Sequence, residues 1–525
     1  MQQPFSRATA KLARKWDAIV VGGGHNGLVA ATYLAKAGKS VCVLEKRHLL
    51  GGAAVTEEII PDYHFSRASY VFSLFRPQII RDLELHKHGL VVYPRDPSSF
   101  TPLLNGQSLV LGSDMKKNQE QIAQFSRADA EAYPKYNAML ERLVEFFVPL
   151  IDNLPPDIKV ALGKESSLKY VWPHILDADI NVQSARVDAL RSFGQLGLQG
   201  AKLGRDLSTF LEFMTAPADK ILNRWFESDV LKATLATDAI IGAKALWFLG
   251  HALTKAAQAA NVQLVTDASV QSINVHGGRV HGVTLSDGTV LESDHVVSNA
   301  SPSLTYLELV GQQHLPEAVV AHFQSAWNME SASTKINVAL NALPNFTCLP
   351  NVGDGAMPHH RGTTHFEDSM QQIEAAYLDV QHGYASRRPV IEMNIPTSMD
   401  DSIAPPGKHI ALLFDGPWND AKKQAFATQC FNVIEQYAPG FKASIVGTDI
   451  LTPPDLERVF SLPRGNIFHG AMGLDQLFWL RPLGGYTDYR TPLQGLYLCS
   501  AGTHPGGGVM GACGRNAAHV VLRDS

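Results

Sequence analysis

Apolar positions along this chain follow two periods, and the places where one gives way to the other outline the fold. Ala18-Ile19-Val20-Val21 is a short apolar run, as expected of a strand buried on both faces. Gly22-Gly23-Gly24-His25-Asn26-Gly27 follows, and a helical pattern runs from Leu28 to Ala37. Ser40 to Leu44 predicts a second apolar strand, ended by Glu45. From about 115 to 260 the pattern turns helical, with apolar residues at three- and four-residue spacing in Ala128 to Phe147 and again in Leu207 to Met214. Strands return at Val262 to Val265, Val270 to Val275, Val280 to Leu285 and His295 to Ser298, with Asp287-Gly288 marking a hairpin turn. Ser333 to Leu343, Val390 to Ile395 and His409 to Phe414 predict further strands in a second sheet region, and Asp420 to Tyr437 an amphipathic helix. A last apolar strand, Gly495 to Ser500, enters a Gly/Pro loop that opens a helix through Asn516, Ala517, Ala518 and Val521.

Strand, G-x-G-x-x-G, helix, strand and terminal acid together form the dinucleotide-binding βαβ unit. Gly22 allows the tight turn, Gly24 lets backbone N–H groups approach a pyrophosphate, and Gly27 lets the helix lie close to the strand. The helix N-terminus adds positive potential. Glu45 is placed to accept hydrogen bonds from an adenosine ribose. Beyond it, Gly51, Gly52 and Ala53 let the chain pass close to a bulky ligand, and Arg47 is placed to stack on an adenine or meet a phosphate. A strand starting at Val270 is placed to clasp the adenine through its main chain. At the far end of the chain, Gly502 and the run Gly506-Gly507-Gly508-Val509 make sense where a cofactor touches main chain, because three consecutive glycines are costly in backbone entropy.

Both chain ends therefore contribute to one nucleotide lobe, assigned to residues 17–75, 261–300 and 485–525, with a substrate or cap region in 76–260 and 301–484. A length of 525 residues fits such an interleaved arrangement. Hydrophobic content of 45% and charged content of 18% fit a soluble globular protein, and a net charge of −5 offers no basic field for nucleic acid. The most apolar stretch, Ala239 to Ala257, is broken by Lys244, His251 and Lys255, which argues against a membrane span. Cys42, Cys348, Cys430, Cys499 and Cys513 include no C-x-x-C pair, so neither a disulfide framework nor a redox disulfide is expected. Residues 1–16 carry Arg7, Lys11, Arg14 and Lys15 with no acid, which reads equally as a mitochondrial presequence, with the matrix as destination, or as a basic tail.

The stretches VVGGGHNGLVAATYLAKAG, EKRHLLGGAAVTEE, FSRASY, RWFESDVLKATLATDA, LTPPDLERVF, GNIFHGAMGLDQL and GLYLCSAGTHPGGGVMGA make the chain resemble the phytoene desaturase-like, or carotenoid/retinoid oxidoreductase, flavoproteins over nearly its whole length. The resemblance implies an α/β fold: a Rossmann-like FAD-binding domain of the glutathione-reductase and amine-oxidase type with an inserted α+β substrate domain. It also implies an extended FAD, with adenine at the Glu45 lobe and isoalloxazine under Gly506-Gly507-Gly508, and oxidation of an apolar or amine substrate by hydride removal. Two departures stand out. The glycine-rich segment expected before the adenine-contacting strand is absent, Gly242-Ala243 running straight into Lys244-Ala245, and a second shortening falls at Phe414-Asp415-Gly416-Pro417-Trp418.

No acid–base dyad is required for hydride transfer to a flavin, so no catalytic residue is assigned. His25, in the phosphate loop, is expected to face solvent, and His504 to sit near the flavin edge or serve only structure. His359, His360 and His365 cluster in an expected loop without metal-ligand spacing, so no metal is assigned. Trp247-Phe248 is expected in core packing. Three functions compete: an FAD-dependent oxidoreductase, an FAD-binding protein with impaired turnover acting through mitochondrial protein partners, and a non-enzymatic binder built like the Rab escort and dissociation-inhibitor proteins. The complete fingerprint argues against the third.

Overall fold

The computed structural model describes residues 12–525 apart from 70–73, 156–189, 191, 195, 199, 202, 205, 241–248, 331–332, 385 and 416–422. At its centre is an all-parallel sheet of five strands: β1 (Ala18–Val21), β2 (Val41–Leu44), β3 (Gln263–Val265), β4 (Val296–Ser298) and β5 (Leu496–Leu498). Their order across the sheet is β5-β4-β1-β2-β3. Successive side chains of a strand point to opposite faces. Ala18, Val20, Val41 and Val43 accordingly join a core with the helices α1 (His25–Lys36), α2 (Leu249–Ala259) and α3 (Ala512–Asp524). Ile19, Val21, Cys42 and Leu44 enter a second core beneath strands Val270–His276, Arg279–Leu285 and Val290–Ser293. Two covered faces explain why the apolar runs are continuous rather than alternating.

Helix α1 lies against both α2 and α3. Its closeness to the sheet depends on Gly27, where a Cβ would stand 2.2 Å from the Gly22 carbonyl oxygen, and its closeness to α3 on Gly514, where a Cβ would stand 2.1 Å from the Asn26 carbonyl oxygen.

Three segments join this lobe from outside the spans expected for it. Lys15–Trp16 pairs in parallel with Glu292 and Ser293, so the end of the basic segment is a strand. Helix α2 and the helix Pro77–Asp82, through Ile79, are built into the nucleotide-lobe core rather than the cap. Their apolar faces looked the same in sequence as those of cap helices; only tertiary pairing separates them.

Strands Thr334–Leu340, Glu392–Asn394 and His409–Asp415 belong to one seven-stranded sheet. They share it with Ser99–Pro102, Ser108–Leu111, Thr363–His365 and Ile445–Leu451, which the apolar pattern had not singled out. Helix Lys423–Tyr437 covers one face through Phe426, Cys430 and Ile434. Helices Met115–Ile122, Arg127–Asp152, Ala218–Trp225 and Asp229–Ile240 share a further core with Leu109 and Leu111 of the seven-stranded sheet. The buried Asp129 carboxylate accepts from the backbone N–H groups of Glu227 (2.9 Å) and Ser228 (2.8 Å), which fixes where two of these helices begin. At the other end of the long helix, Asp152 pairs with Arg76 at 2.6 Å. That pair holds Phe147, Val148 and Ile151 over the cavity described next. Among the described residues no helix is long and apolar enough to cross a membrane.

Candidate cofactor and substrate cavity

In an open parallel sheet, ligands bind beyond the carboxyl ends of the strands where strand order reverses. Here that point is the end of β1, flanked by β2 on one side and β4 on the other. A cavity of about 840 Å³ opens there. Its floor is made by the residues that follow each strand: Gly22 and Gly24 after β1, Glu45 after β2, Ala268 after β3, Asn299 after β4 and Ala501 after β5.

At the nucleotide end, β1 turns sharply through Gly22, whose φ is +95°. The turn delivers Gly22, Gly24, His25 and Asn26 to the cavity and starts α1 at His25 with Gly24 as its N-cap. No side chain caps those amides and no acid lies in the first turn, leaving the N-terminus free to meet a phosphate. Glu45 is buried, and burial raises its pKa while the backbone N–H groups of Arg47 (2.8 Å) and Gly23 (2.7 Å) work against that rise. Each carboxylate oxygen thus accepts one backbone bond and keeps lone pairs for a ligand. Val270 opens its strand on the same wall.

Arg47 is committed differently from the sequence expectation. Its guanidinium pairs with Glu57 and lies over the Phe460 ring, 4.7 Å from the centroid, while Nη1 is buried without a partner. Its charge is thereby largely taken up by protein, and the aromatic face it covers is that of Phe460 rather than of a ligand.

The opposite end is apolar. Phe147, Ile151, Met472, Phe478 and Met510 surround it together with Gly507, Gly508 and Val509. A Cβ on Gly507 would stand 1.9 Å from Phe468 Cδ1, so only glycine fits. Helix α3 begins at Ala512, after the left-handed cap Gly511. The three glycines therefore form a loop ahead of the helix instead of its mouth, because Gly506, Gly508 and Gly511 all hold positive φ.

Of the sequence-predicted residues, Gly22, Gly24, Glu45, Arg47, Gly52, Ala53, Val270, Gly507, Gly508 and Val509 line this cavity. Gly27, Gly51 and Gly502 do not. Gly27 serves the helix–strand contact, Gly51 is packed beside Gly250 of α2, and Gly502 lies against Pro302, 2.2 Å from where its Cβ would be. A glycine needed for protein packing and one needed for ligand approach look identical in sequence.

Three histidines face the cavity. His25 is on its wall rather than turned to solvent, and burial lowers its pKa to about 4. His469 is lowered to about 3 and His504 to about 4, again mainly by burial. His504 Nε2 donates to the Leu150 carbonyl at 2.8 Å, which fixes the tautomer and leaves Nδ1 as a buried acceptor without a partner. All three are neutral at physiological pH and add no charge to the site. His359, His360 and His365 are all buried: the first two sit in a short turn, where their rings pack with Phe346 and, for His359, Phe100, and the third sits in a strand. Among the described residues no cluster of three His, Cys, Asp or Glu suits a metal ion, and the five cysteines are free, Cys42 lying in the sheet core.

Sequence reasoning missed Asn299, the Phe468–Phe478 wall and Arg481. Asn299 Nδ2 donates to the Gly22 carbonyl at 3.3 Å and stands 2.8 Å from where a Gly24 Cβ would be. A polar residue directly after the apolar strand Val296–Ser298 was the available signal. Tyr70, the junction Gly242-Ala243-Lys244-Ala245, Trp247-Phe248 and Gly416-Pro417-Trp418 lie outside the described residues.

The cavity passes two tests for a flavin or nucleotide cofactor. Gly22, Gly24, Gly52, Gly507 and Gly508 bring main chain without side chains to its wall at both ends. It is also bordered by buried polar atoms that have no protein partner: Asn26 Oδ1, Arg47 Nη1, His469 Nδ1 and His504 Nδ1.

Residues 20–83 match the NAD(P)-binding Rossmann-like domain family. The chain is 46% identical to the rat (Rattus norvegicus) pyridine nucleotide-disulfide oxidoreductase domain-containing protein 2 over 572 aligned positions, covering 99% of this chain and 95% of the relative. It is 25% identical to hydroxyneurosporene desaturase from Cereibacter sphaeroides, covering 96% and 97% of the two chains. Among solved structures, an oxidoreductase from Methanosarcina mazei shares the fold with a TM-score of 0.55 at 15% identity, covering 97% of this chain and all of that one. With the fingerprint, the two-lobed fold and a full-length match of this kind, the chain belongs to the phytoene desaturase-like oxidoreductase family, alongside pyridine nucleotide-disulfide oxidoreductase domain-containing protein 2.

Proposed function

We propose that the chain is an FAD-dependent oxidoreductase that removes hydride from an apolar substrate. The observation that carries this reading is one continuous cavity running from Glu45 and the α1 N-terminus to an apolar chamber at Gly507, Gly508 and Val509. FAD bound there supplies the hydride acceptor. Gly22, Gly24 and Glu45 would hold its ADP half, with Gly52, Ala53 and Val270 alongside, and Gly507, Gly508 and Val509 would lie against the ring. Phe147, Ile151 and Phe478 exclude water from the reacting end and orient an apolar molecule there.

Among the described residues Glu45 is the only carboxylate on the cavity wall, and it lies at the nucleotide end. An ammonium group beside Phe478 would find no counter-charge, which favours an apolar over an amine substrate. The relative named hydroxyneurosporene desaturase points the same way. The test is to mix the flavin-loaded protein anaerobically with polyisoprenoids and, separately, with primary amines. Bleaching of flavin absorbance by a polyisoprenoid alone is expected; bleaching by amines alone overturns the substrate class.

A second reading, an FAD-binding protein with weak turnover acting through a mitochondrial protein partner, is favoured by one observation. The match to the rat relative spans 572 positions against a chain of 525 residues, so several dozen positions of the relative have no counterpart here. We place one such gap at Gly242-Ala243-Lys244-Ala245. Orientation of reactants contributes roughly 7–11 kcal/mol in well-positioned reactions, so a missing wall segment would slow turnover by orders of magnitude. Restoring the relative's segment after Ala243 should raise the rate of flavin reduction; equal rates would remove this reading. The matrix location follows from the same proposal and from Arg7, Lys11, Arg14 and Lys15; loss of import into isolated mitochondria when these are replaced by glutamine is the expected result.

A further inference from the structure

Behind the apolar end of the cavity lies a buried cation with no carboxylate beside it. Arg481 is fully buried and heads the described residues in side-chain size among those with no exposed surface. Nε and Nη2 donate to the Ala501 carbonyl at 3.3 and 2.9 Å. Nη1 donates to the carbonyls of Ala471 (3.0 Å) and Gln476 (3.1 Å), and Nη2 also to those of Phe468 (2.7 Å) and Gly470 (3.2 Å). The Trp327 ring closes the remaining side, 5.4 Å from Cζ. Burial brings the guanidinium pKa down to about 10, so it stays charged at neutral pH; no carboxylate is among the groups acting on it.

The position of this charge matters. Phe468 and Ala501, whose carbonyls it holds, are cavity wall residues. A Cβ on Gly506 would stand 3.6 Å from Arg481 Nε, and Gly507 next to it lines the cavity. After burial, the Arg481 charge is a further cause that lowers the pKa of both His469 and His504, which face the same space. In a water-poor interior a charge acts across several ångströms with little screening. Five carbonyl dipoles solvate the guanidinium without cancelling its net charge.

We propose that Arg481 sets the reduction potential of the bound flavin, placing an uncompensated positive charge behind the ring end of the cavity so that the electron-rich reduced ring is stabilised. The proposal rests on the FAD reading above. Arg481 touches neither cavity nor cofactor and is a tuning residue, not a catalytic one. It also ties the Phe468–Gln476 loop to Ala501, so a purely structural role is the competing explanation.

Charge and scaffold separate in a pair of variants, Arg481→Lys and Arg481→Met, with midpoint potential, flavin content and thermal melting measured on each. Lysine keeps the charge and loses the planar fork; methionine loses both. Both variants are expected to melt earlier than the wild type. Arg481→Lys should stay within threefold of wild type in the equilibrium for two-electron reduction. Arg481→Met should lose at least tenfold, about 30 mV. Equal potentials in the two variants would overturn the proposal. Should Arg481→Met retain no flavin, the wild type reconstituted with 8-mercapto-FAD answers the same question. The quinoid spectrum of a ring carrying its negative charge on the pyrimidine side is expected, and the plain thiolate spectrum would overturn it. Failure of the wild type to bind any FAD would instead sink the underlying FAD reading.

Discussion

Gly27→Ala separates a glycine required by its neighbours from one required by its backbone angles. Inside a helix this substitution ordinarily gains about 1 kcal/mol. Gly27 sits in α1 without a positive φ, so alanine can adopt its conformation. The obstacle is steric: the new Cβ would stand 2.2 Å from the Gly22 carbonyl oxygen, with Asn299 Nδ2 at 3.1 Å behind it. Carbon–oxygen contacts relax only near roughly 3.3 Å, so the helix must retreat by about 1 Å. Overpacking of this kind costs about 1–3 kcal/mol, which reverses the helix-propensity gain. The same retreat pulls the α1 amides away from a phosphate. Losing one charge-assisted hydrogen bond, about 1.5–3 kcal/mol, weakens FAD binding at least tenfold. Gly38→Ala is the control, because Gly38 has a φ of +88° and nothing within 4 Å of its Cβ position. It should lose about 1–2 kcal/mol of stability and leave FAD affinity unchanged. Urea denaturation and flavin fluorescence titration of both variants decide the matter. Wild-type FAD affinity in Gly27→Ala would refute the reasoning.

Three further outcomes are expected. Gly507→Leu, which drives a side chain into Phe468, should displace the ring end while the adenine end still binds, so ADP should inhibit FAD binding to the variant as in the wild type; an unaltered flavin spectrum would place the ring elsewhere. Gly24→Val, whose Cβ meets Asn299 Nδ2 at 2.8 Å, should yield colourless protein, and full flavin occupancy would remove Gly24 from the site. Glu367 is fully buried, Oε2 lacks a partner, and burial raises its pKa from 4.5 to about 7 against the lowering effect of His365. The folded state therefore holds a proton that the unfolded state releases. That contribution is complete below pH 4.5 and lost as pH rises through about 7, and it amounts to at most about 3 kcal/mol. Glu367→Gln should flatten the urea midpoint between pH 5 and pH 8, and an unchanged slope would show that Glu367 titrates normally.

The nucleotide lobe was legible because each of its elements carries a local signal. Ala18–Val21 and Val41–Leu44 are continuous apolar runs, and Gly22, Gly24 and Glu45 stand at their ends with the spacing a pyrophosphate and a ribose require. What was not legible depends on distant partners. The apolar face of Leu249–Ala259 says that it is buried, but only the sheet decides in which core. Gly502 looks like Gly507 until the fold packs the first on Pro302 and sets the second on the cavity wall. His359 and His360 read as a polar loop because their aromatic neighbours, Phe100 and Phe346, come from elsewhere in the chain, and His365 because the strand that buries it was not singled out. Arg481 gave no signal at all: a lone arginine after Trp479-Leu480 is ordinarily a surface residue, and its carbonyl cage is assembled from the Phe468–Gln476 loop and Ala501.

The most direct test of a flavin in the β1 cavity is the absorbance spectrum of the purified protein after incubation with excess FAD and removal of unbound cofactor. One FAD per chain with a protein-bound flavin spectrum is expected, and lost in Gly24→Val. A colourless wild type that leaves the free FAD spectrum unchanged would contradict it.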